Sequence, residues 1–81
     1  MKMSPTVFKY KNYRFLFFSR EEQKIHIHVV SQDGEAKFWL TPKVSLAKNF
    51  GLSKKQLSEL AKVVEKHKNE IENAWTEHFR S

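Results

Sequence analysis

Cysteine is absent from the 81-residue chain, which excludes disulfides and thiolate metal centres. Glycine and proline occur only twice each, so there is no glycine-rich loop to cradle a phosphate and no low-complexity tract or linker. No apolar run approaches the roughly 20 residues of a membrane-spanning helix. Near the start, Lys9, Lys11 and Arg14 interrupt the apolar stretch that a signal peptide would need. No internal repeat is present, and no Ser-His-Asp or Cys-His nucleophile arrangement. A cytoplasmic protein of bacterial type, with no membrane attachment, is the simplest expectation.

What is present is globular in composition. Hydrophobic residues make up 40% and aromatics 14%, the latter mostly seven phenylalanines. The length fits one domain over residues 1–81. A chain this short leaves roughly two-fifths of its unfolded-state surface exposed. Its core alone should supply about 3–5 kcal/mol unless a partner or a homodimer adds burial. The net charge of +6 is uneven: residues 1–52 hold nine Lys and Arg against four Asp and Glu, residues 53–81 six against five. The basic excess of the N-terminal part attracts phosphate backbones or an acidic protein, and charge alone does not separate the two.

Lys24 to Leu40, KIHIHVVSQDGEAKFWL, organises the chain. Two alternating apolar runs flank Asp33-Gly34, a strong hairpin signal. A two-residue turn there would set Gln32 opposite Glu35, Val30 opposite Lys37, His28 opposite Trp39 and Ile27 opposite Leu40. Alternation then puts Ile25, Ile27, Val29, Phe38 and Leu40 on one face, and His26, His28, Lys37 and Trp39 on the other.

Before the hairpin, Thr6–Tyr10 reads as a short strand with Lys11-Asn12 as a tight turn. Tyr13–Ser19 reads as a firmer strand, apolar on both sides, with Tyr13, Phe15 and Phe17 on one side and Arg14, Leu16 and Phe18 on the other. Arg20 to Gln23 is a polar connection. After the hairpin, Thr41-Pro42 interrupts the ladder, and Val44–Phe50 is a fifth strand or an extended connection. Ser53 with Gln56 makes a capping box, and Leu52 with Leu57 a hydrophobic staple. From there Leu57, Leu60, Ala61, Val64, Ile71, Ala74 and Trp75 recur at helical spacing. One helix over 53–79 would run about 40 Å, overhanging strands of roughly 20 Å. That predicts a kink around Lys66 to Asn69, or final turns docked on another subunit. The expected architecture is α+β: an antiparallel meander of three to five strands within 6–50, one face covered by one long C-terminal helix, kinked or continuous.

Several chemistries are open to the face that carries the histidines. His26 and His28 stand about 6.8 Å apart along one side of a strand, but a metal site needs a third ligand and the neighbouring strand has no carboxylate. No metal and no cofactor is therefore expected. The two imidazoles beside Arg14 and Lys37 have the elements of general acid–base cleavage of a ribose-phosphate backbone, one taking the 2′-hydroxyl proton and the other protonating the leaving oxygen. The plainer reading makes them half-exposed strand residues, with His28 packed on Trp39. Phe18, Trp39 and Tyr13, interleaved with Arg14, Arg20 and Lys37, suggest a platform for single-stranded nucleic acid. The same residues suit a protein–protein contact, since Trp and Arg are frequent interface anchors.

YRFLFFS, KIHIHV, GEAKFWL, LAKNFGLSKKQLSEL and a terminal I-x-x-A-W-x-x-x-F, in that order from about Phe8 to Phe79, resemble the small prokaryotic family known as domain of unknown function 4160. Members typically show Pro-Pro-His-x-His-Val; here His26, Ile27, His28 and Val29 match it, and Lys24 and Ile25 stand in place of the prolines. His26, His28, Glu35, Lys37, Phe38 and Trp39 fall on the family's recurrent positions. Members are often encoded beside a second small protein, in pairs that look like type II toxin–antitoxin operons with this family as the toxin. The resemblance implies a growth-inhibiting toxin acting on RNA, held inactive by a small acidic antitoxin-like partner. The alternative is a non-catalytic interaction module using the same face for a partner or for itself.

Overall fold

The computed structural model describes residues 3–18 and 24–79, with side chains from residue 6 onward. Five strands, β1 (Met3–Tyr10), β2 (Tyr13–Phe18), β3 (His26–Val30), β4 (Glu35–Trp39) and β5 (Ser45–Phe50), are followed by two helices, α1 (Lys54–Lys66) and α2 (Lys68–Phe79). The strands pair antiparallel in sequence order, a five-stranded meander. The fifth strand, open from the sequence, is thus formed. The Arg20–Gln23 connection lies outside the described residues.

Both helices pack on one face of the sheet. Tyr13, Phe15, Phe17, Ile27, Val29, Ala36, Phe38 and Leu40 from the strands meet Leu52, Leu60, Val63, Val64, Ile71 and Trp75 in a single core. The alternation read from the sequence groups Ile27, Val29, Phe38 and Leu40 on one face and Tyr13, Phe15 and Phe17 on one side of their strand, and both groups face the helices.

The hairpin turn differs from the expected one. The last β3–β4 pair is Val30↔Glu35, so four residues, Ser31 to Gly34, make the connection. Ser31 closes it: its N–H and hydroxyl donate to the Gly34 carbonyl at 3.0 and 3.1 Å, and its Oγ accepts from the Asp33 N–H at 3.2 Å. His28 therefore faces Lys37 and His26 faces Trp39, two residues off the expected register. A one-residue slip would turn every side chain over, but an even shift leaves each face intact. Gly34 is required by contact: a Cβ there would lie 2.1 Å from the Phe50 carbonyl oxygen. Gly51, at φ +89°, makes the left-handed turn into the helical part. Asn49 spans that turn, its amide bonding the Leu52 N–H and carbonyl at 3.0 Å each.

At α1 the capping box forms as the sequence predicts, with Gln56 N–H donating to Ser53 Oγ at 3.1 Å and Ser53 N–H to Gln56 Oε1 at 2.8 Å. The single long helix is corrected to two. His67 leaves helical geometry (φ −102°, ψ 17°) within the window where overhang predicts a kink, although neither proline nor glycine is there. Its ring stacks on Phe8 of β1 at 4.3 Å between centroids, and its Nδ1 bonds Glu70 at 2.8 Å. The bend lets α2 follow the sheet, and the molecule's longest dimension is 37 Å, less than a straight helix over that span would need.

Candidate functional site

The sheet face away from the helices reads as three cross-strand rows. Arg14, Val30, Glu35 and Phe50 form the first, and Leu16, His28, Lys37 and Lys48 the second. His26, Trp39 and Ser45 form the third. A bulge between Lys37 and Phe38, where the partner strand passes from Lys48 to Leu46, re-aims β5 beside the middle row.

Between β4 and β5 these rows enclose a groove of about 180 Å³, lined by Phe18, His28, Glu35, Ala36, Lys37, Lys48 and Phe50. Lys37 and Lys48 are direct cross-strand partners. Opposed like charges destabilise a ladder, and an anion between them is attracted by both. Phe50 is 65% exposed, and Phe18 lies over the His28 ring at 3.9 Å between centroids. His28 is half-buried, and its Nε2 is shielded from water. Glu35 is the carboxylate in this lining.

Beside the groove stands Trp39. The ammonium groups of Lys24 and Lys37 lie 4.6 and 4.5 Å from the centroid of its indole, which is cation–π geometry.

The residues expected to form the site are partly gathered and partly dispersed. Phe18, His28 and Lys37 line the groove and Trp39 adjoins it. Arg14 shares this face but stands on β2, away from β4 and β5, its Nε and Nη2 donating to Thr6 Oγ1 at 3.1 and 2.9 Å. Arg20 lies outside the described residues. Tyr13 is buried on the helix side, its hydroxyl accepting from Gln56 Nε2 at 3.0 Å, so it offers no stacking surface. His26 differs most from a half-exposed strand residue, being fully buried at 0% exposure. Its Nδ1–H donates to the Lys24 carbonyl at 2.8 Å. Its ring meets Trp75 at 5.0 Å, His28 at 5.2 Å and Trp39 at 5.6 Å, each in edge contact. A proton donor or base must reach its substrate, and this imidazole is walled in. Lys48, Phe50 and Lys24 were not singled out from the sequence. Only the alternation of Val44 and Leu46 in the fifth strand pointed toward the first two.

No three His, Asp or Glu side chains converge as a metal cage among the described residues, and no helix there is long and apolar enough to cross a membrane.

A second, polar cleft lies between the β1–β2 turn, the β3–β4 turn and α1, and is lined by Lys11, Asn12, Ser31, Asp33, Gln56 and Glu59 among others. The Tyr10 hydroxyl and Lys11 Nζ both donate to Glu59 Oε2 at 2.5 Å. The Lys11 hydrogen bond, then that of Tyr10, holds the Glu59 carboxyl below its ordinary range. The Glu59 hydrogen bond raises both Lys11 and Tyr10. Gln56 Nε2 also donates to Asp33 Oδ2 at 3.1 Å. These groups satisfy one another across three elements, so this cleft acts as a clasp.

The family model described as Domain of unknown function (DUF4160) matches residues 12–76, which takes in the groove and most of both helices. No curated protein and no solved structure matches the chain.

Proposed function

This chain belongs to the DUF4160 family, and from that premise we propose that it is the toxin-like member of a small two-protein pair, acting on single-stranded RNA held in the β4–β5 groove. The observation that carries this reading is the opposed pair Lys37 and Lys48 set between Phe18 and Phe50. Proteins that hold single strands combine cations for the phosphates with aromatic rings for the bases, and both lie within one groove here. The reading rests on binding, not on two-histidine cleavage, because His26 is enclosed by Trp75 and Trp39. His28 is the imidazole at the groove. The compartment is the cytoplasm, where an RNA and an acidic antitoxin-like partner meet the protein.

A second reading, favoured by Phe50 at 65% and Leu46 at 46% exposure on the edge strand, is a non-catalytic contact surface for a protein partner or a second copy. Salt separates the two. Binding of a fluorescent oligouridylate, followed by anisotropy, should weaken steeply with ionic strength, with a log–log slope of about 0.7 per phosphate neutralised. The Lys37→Ala, Lys48→Ala double variant should flatten that slope and relieve growth arrest on induced expression in a bacterial host. Arrest that persists in the double variant, with no salt-dependent RNA binding, would replace the RNA reading with the protein-contact one.

A further inference from the structure

The groove carries one group that phosphate binding alone does not use. Glu35 opens β4, faces the same side as Lys37, and is the direct cross-strand partner of Phe50. Among the described residues its carboxylate forms no hydrogen bond or ion pair with a side chain, although Lys37 and Lys48 occupy the next row. A carboxylate in a groove built for a polyanion repels the backbone, so it fits there only where a ligand presents donors to it. We propose that Glu35 selects the base, making the groove prefer guanine over uracil. This rests on the RNA-binding reading and adds to it the identity of the bound nucleotide.

The geometry is direct. A base laid on the exposed Phe50 ring has its edge beside Glu35, because the two residues are paired across the strands. The neighbouring row lies about 6.8 Å along the strands, and there Lys37 and Lys48 receive phosphate. In single-stranded RNA the Watson–Crick edge is free to be read. Guanine offers two adjacent donors on that edge, N1–H and the exocyclic amine, which match the two acceptor oxygens of an ionised carboxylate. Cytosine and adenine offer one amine beside a ring acceptor. Uracil offers a single N–H between two carbonyl oxygens, and those oxygens face the carboxylate with like partial charge. The expected order is guanine first, cytosine and adenine between, and uracil last. A bidentate pairing is worth on the order of tenfold or more in discrimination against the wrong base.

The experiment uses the full chain and four labelled pentanucleotides that are oligouridylate except for the central base, G, C, A or U, titrated at one fixed low salt concentration. Wild type should bind the G-containing strand about tenfold tighter than the all-U strand. In Glu35→Gln the carboxamide offers one donor and one acceptor, so the preference should collapse toward unity while affinity for the all-U strand rises as a negative charge leaves the groove. Equal affinity of wild type for all four strands overturns base selection and leaves RNA binding standing. A preference that survives Glu35→Gln assigns selection to another group and also overturns it. Failure of every strand to bind overturns the RNA reading and this inference together.

Discussion

Replacing His26 with alanine separates a chemical role for this residue from a packing one. The side chain is fully buried. Its Nδ1–H···O bond to the Lys24 carbonyl, 2.8 Å long, is worth about 1 kcal/mol net. Three edge contacts, with Trp75, His28 and Trp39, each add about 0.5 kcal/mol at the low end suited to a small ring, and the empty volume left between two indoles adds a cavity cost. The sum is about 2–4 kcal/mol, against roughly 3–5 kcal/mol that a core of this size supplies. With a urea m value of about 1 kcal/mol/M for a small domain, the unfolding midpoint should fall by about 2 M or more. Both tryptophans touch the replaced ring, so intrinsic fluorescence reports the transition. His26→Phe, which keeps a ring and loses the donor, should lose less than the alanine variant. A His26→Ala midpoint equal to that of wild type, together with loss of growth arrest, would refute this account and make His26 a group that acts on the ligand.

Three further outcomes follow from the packing. Gly34→Ala should destabilise by more than the roughly 1–2 kcal/mol of a left-handed alanine, because its Cβ would press on the Phe50 carbonyl; a thermal midpoint within error of wild type would contradict the close approach. Ser53→Ala should cost about 1 kcal/mol by removing the capping oxygen of α1, measured by urea unfolding. Glu59→Gln should lower stability at neutral pH, and the gap from wild type should close in acid and in strong alkali, as pH-dependent thermal scans would show. The sign follows from linkage: the lowered Glu59 carboxyl stabilises above its unfolded pKa, and that contribution is lost as pH falls through the folded value. Lys11 and Tyr10 are raised, so their contribution holds below their unfolded values and is lost as pH rises through the folded ones.

The faces of the central hairpin were legible because alternation depends only on odd and even positions. The exact turn was not. Asp33-Gly34 suits a two-residue loop, yet Ser31 takes the closing bonds and Gly34 answers to the backbone of Phe50, a contact that no local pattern announces. The capping box at Ser53 was legible because it is complete within four residues. The break at His67 was legible only as a consequence of length, since the cause is a ring contact with Phe8 at the other end of the chain. The side of β2 that Arg14 shares with Leu16 was legible, but its bond to Thr6 was not, because that partner is set by the irregular β1–β2 register. Lys48 and Phe50 were missed for a related reason: the bulge opposite Lys37 and Phe38 disrupts the alternation that would have marked their strand.

The burial of His26 ties the helical break to the groove. Among the described residues the β2–β3 pairing runs from Arg14↔Val30 to Leu16↔His28, and next to its end Trp75 of α2 touches both Phe17, on the helix side, and His26, on the other. A straight helix leaving α1 would carry residue 75 beyond the strands, whereas the turn at His67 returns it to the sheet. The indole then closes one end of the outer face and takes one imidazole out of reach. Among the described residues, the lysine pair, the exposed phenylalanine and the carboxylate of Glu35 meet toward β4 and β5. The working surface proposed here is thus bounded by α2 as much as it is displayed by the hairpin, and the position of Trp75 decides which histidine can meet a ligand.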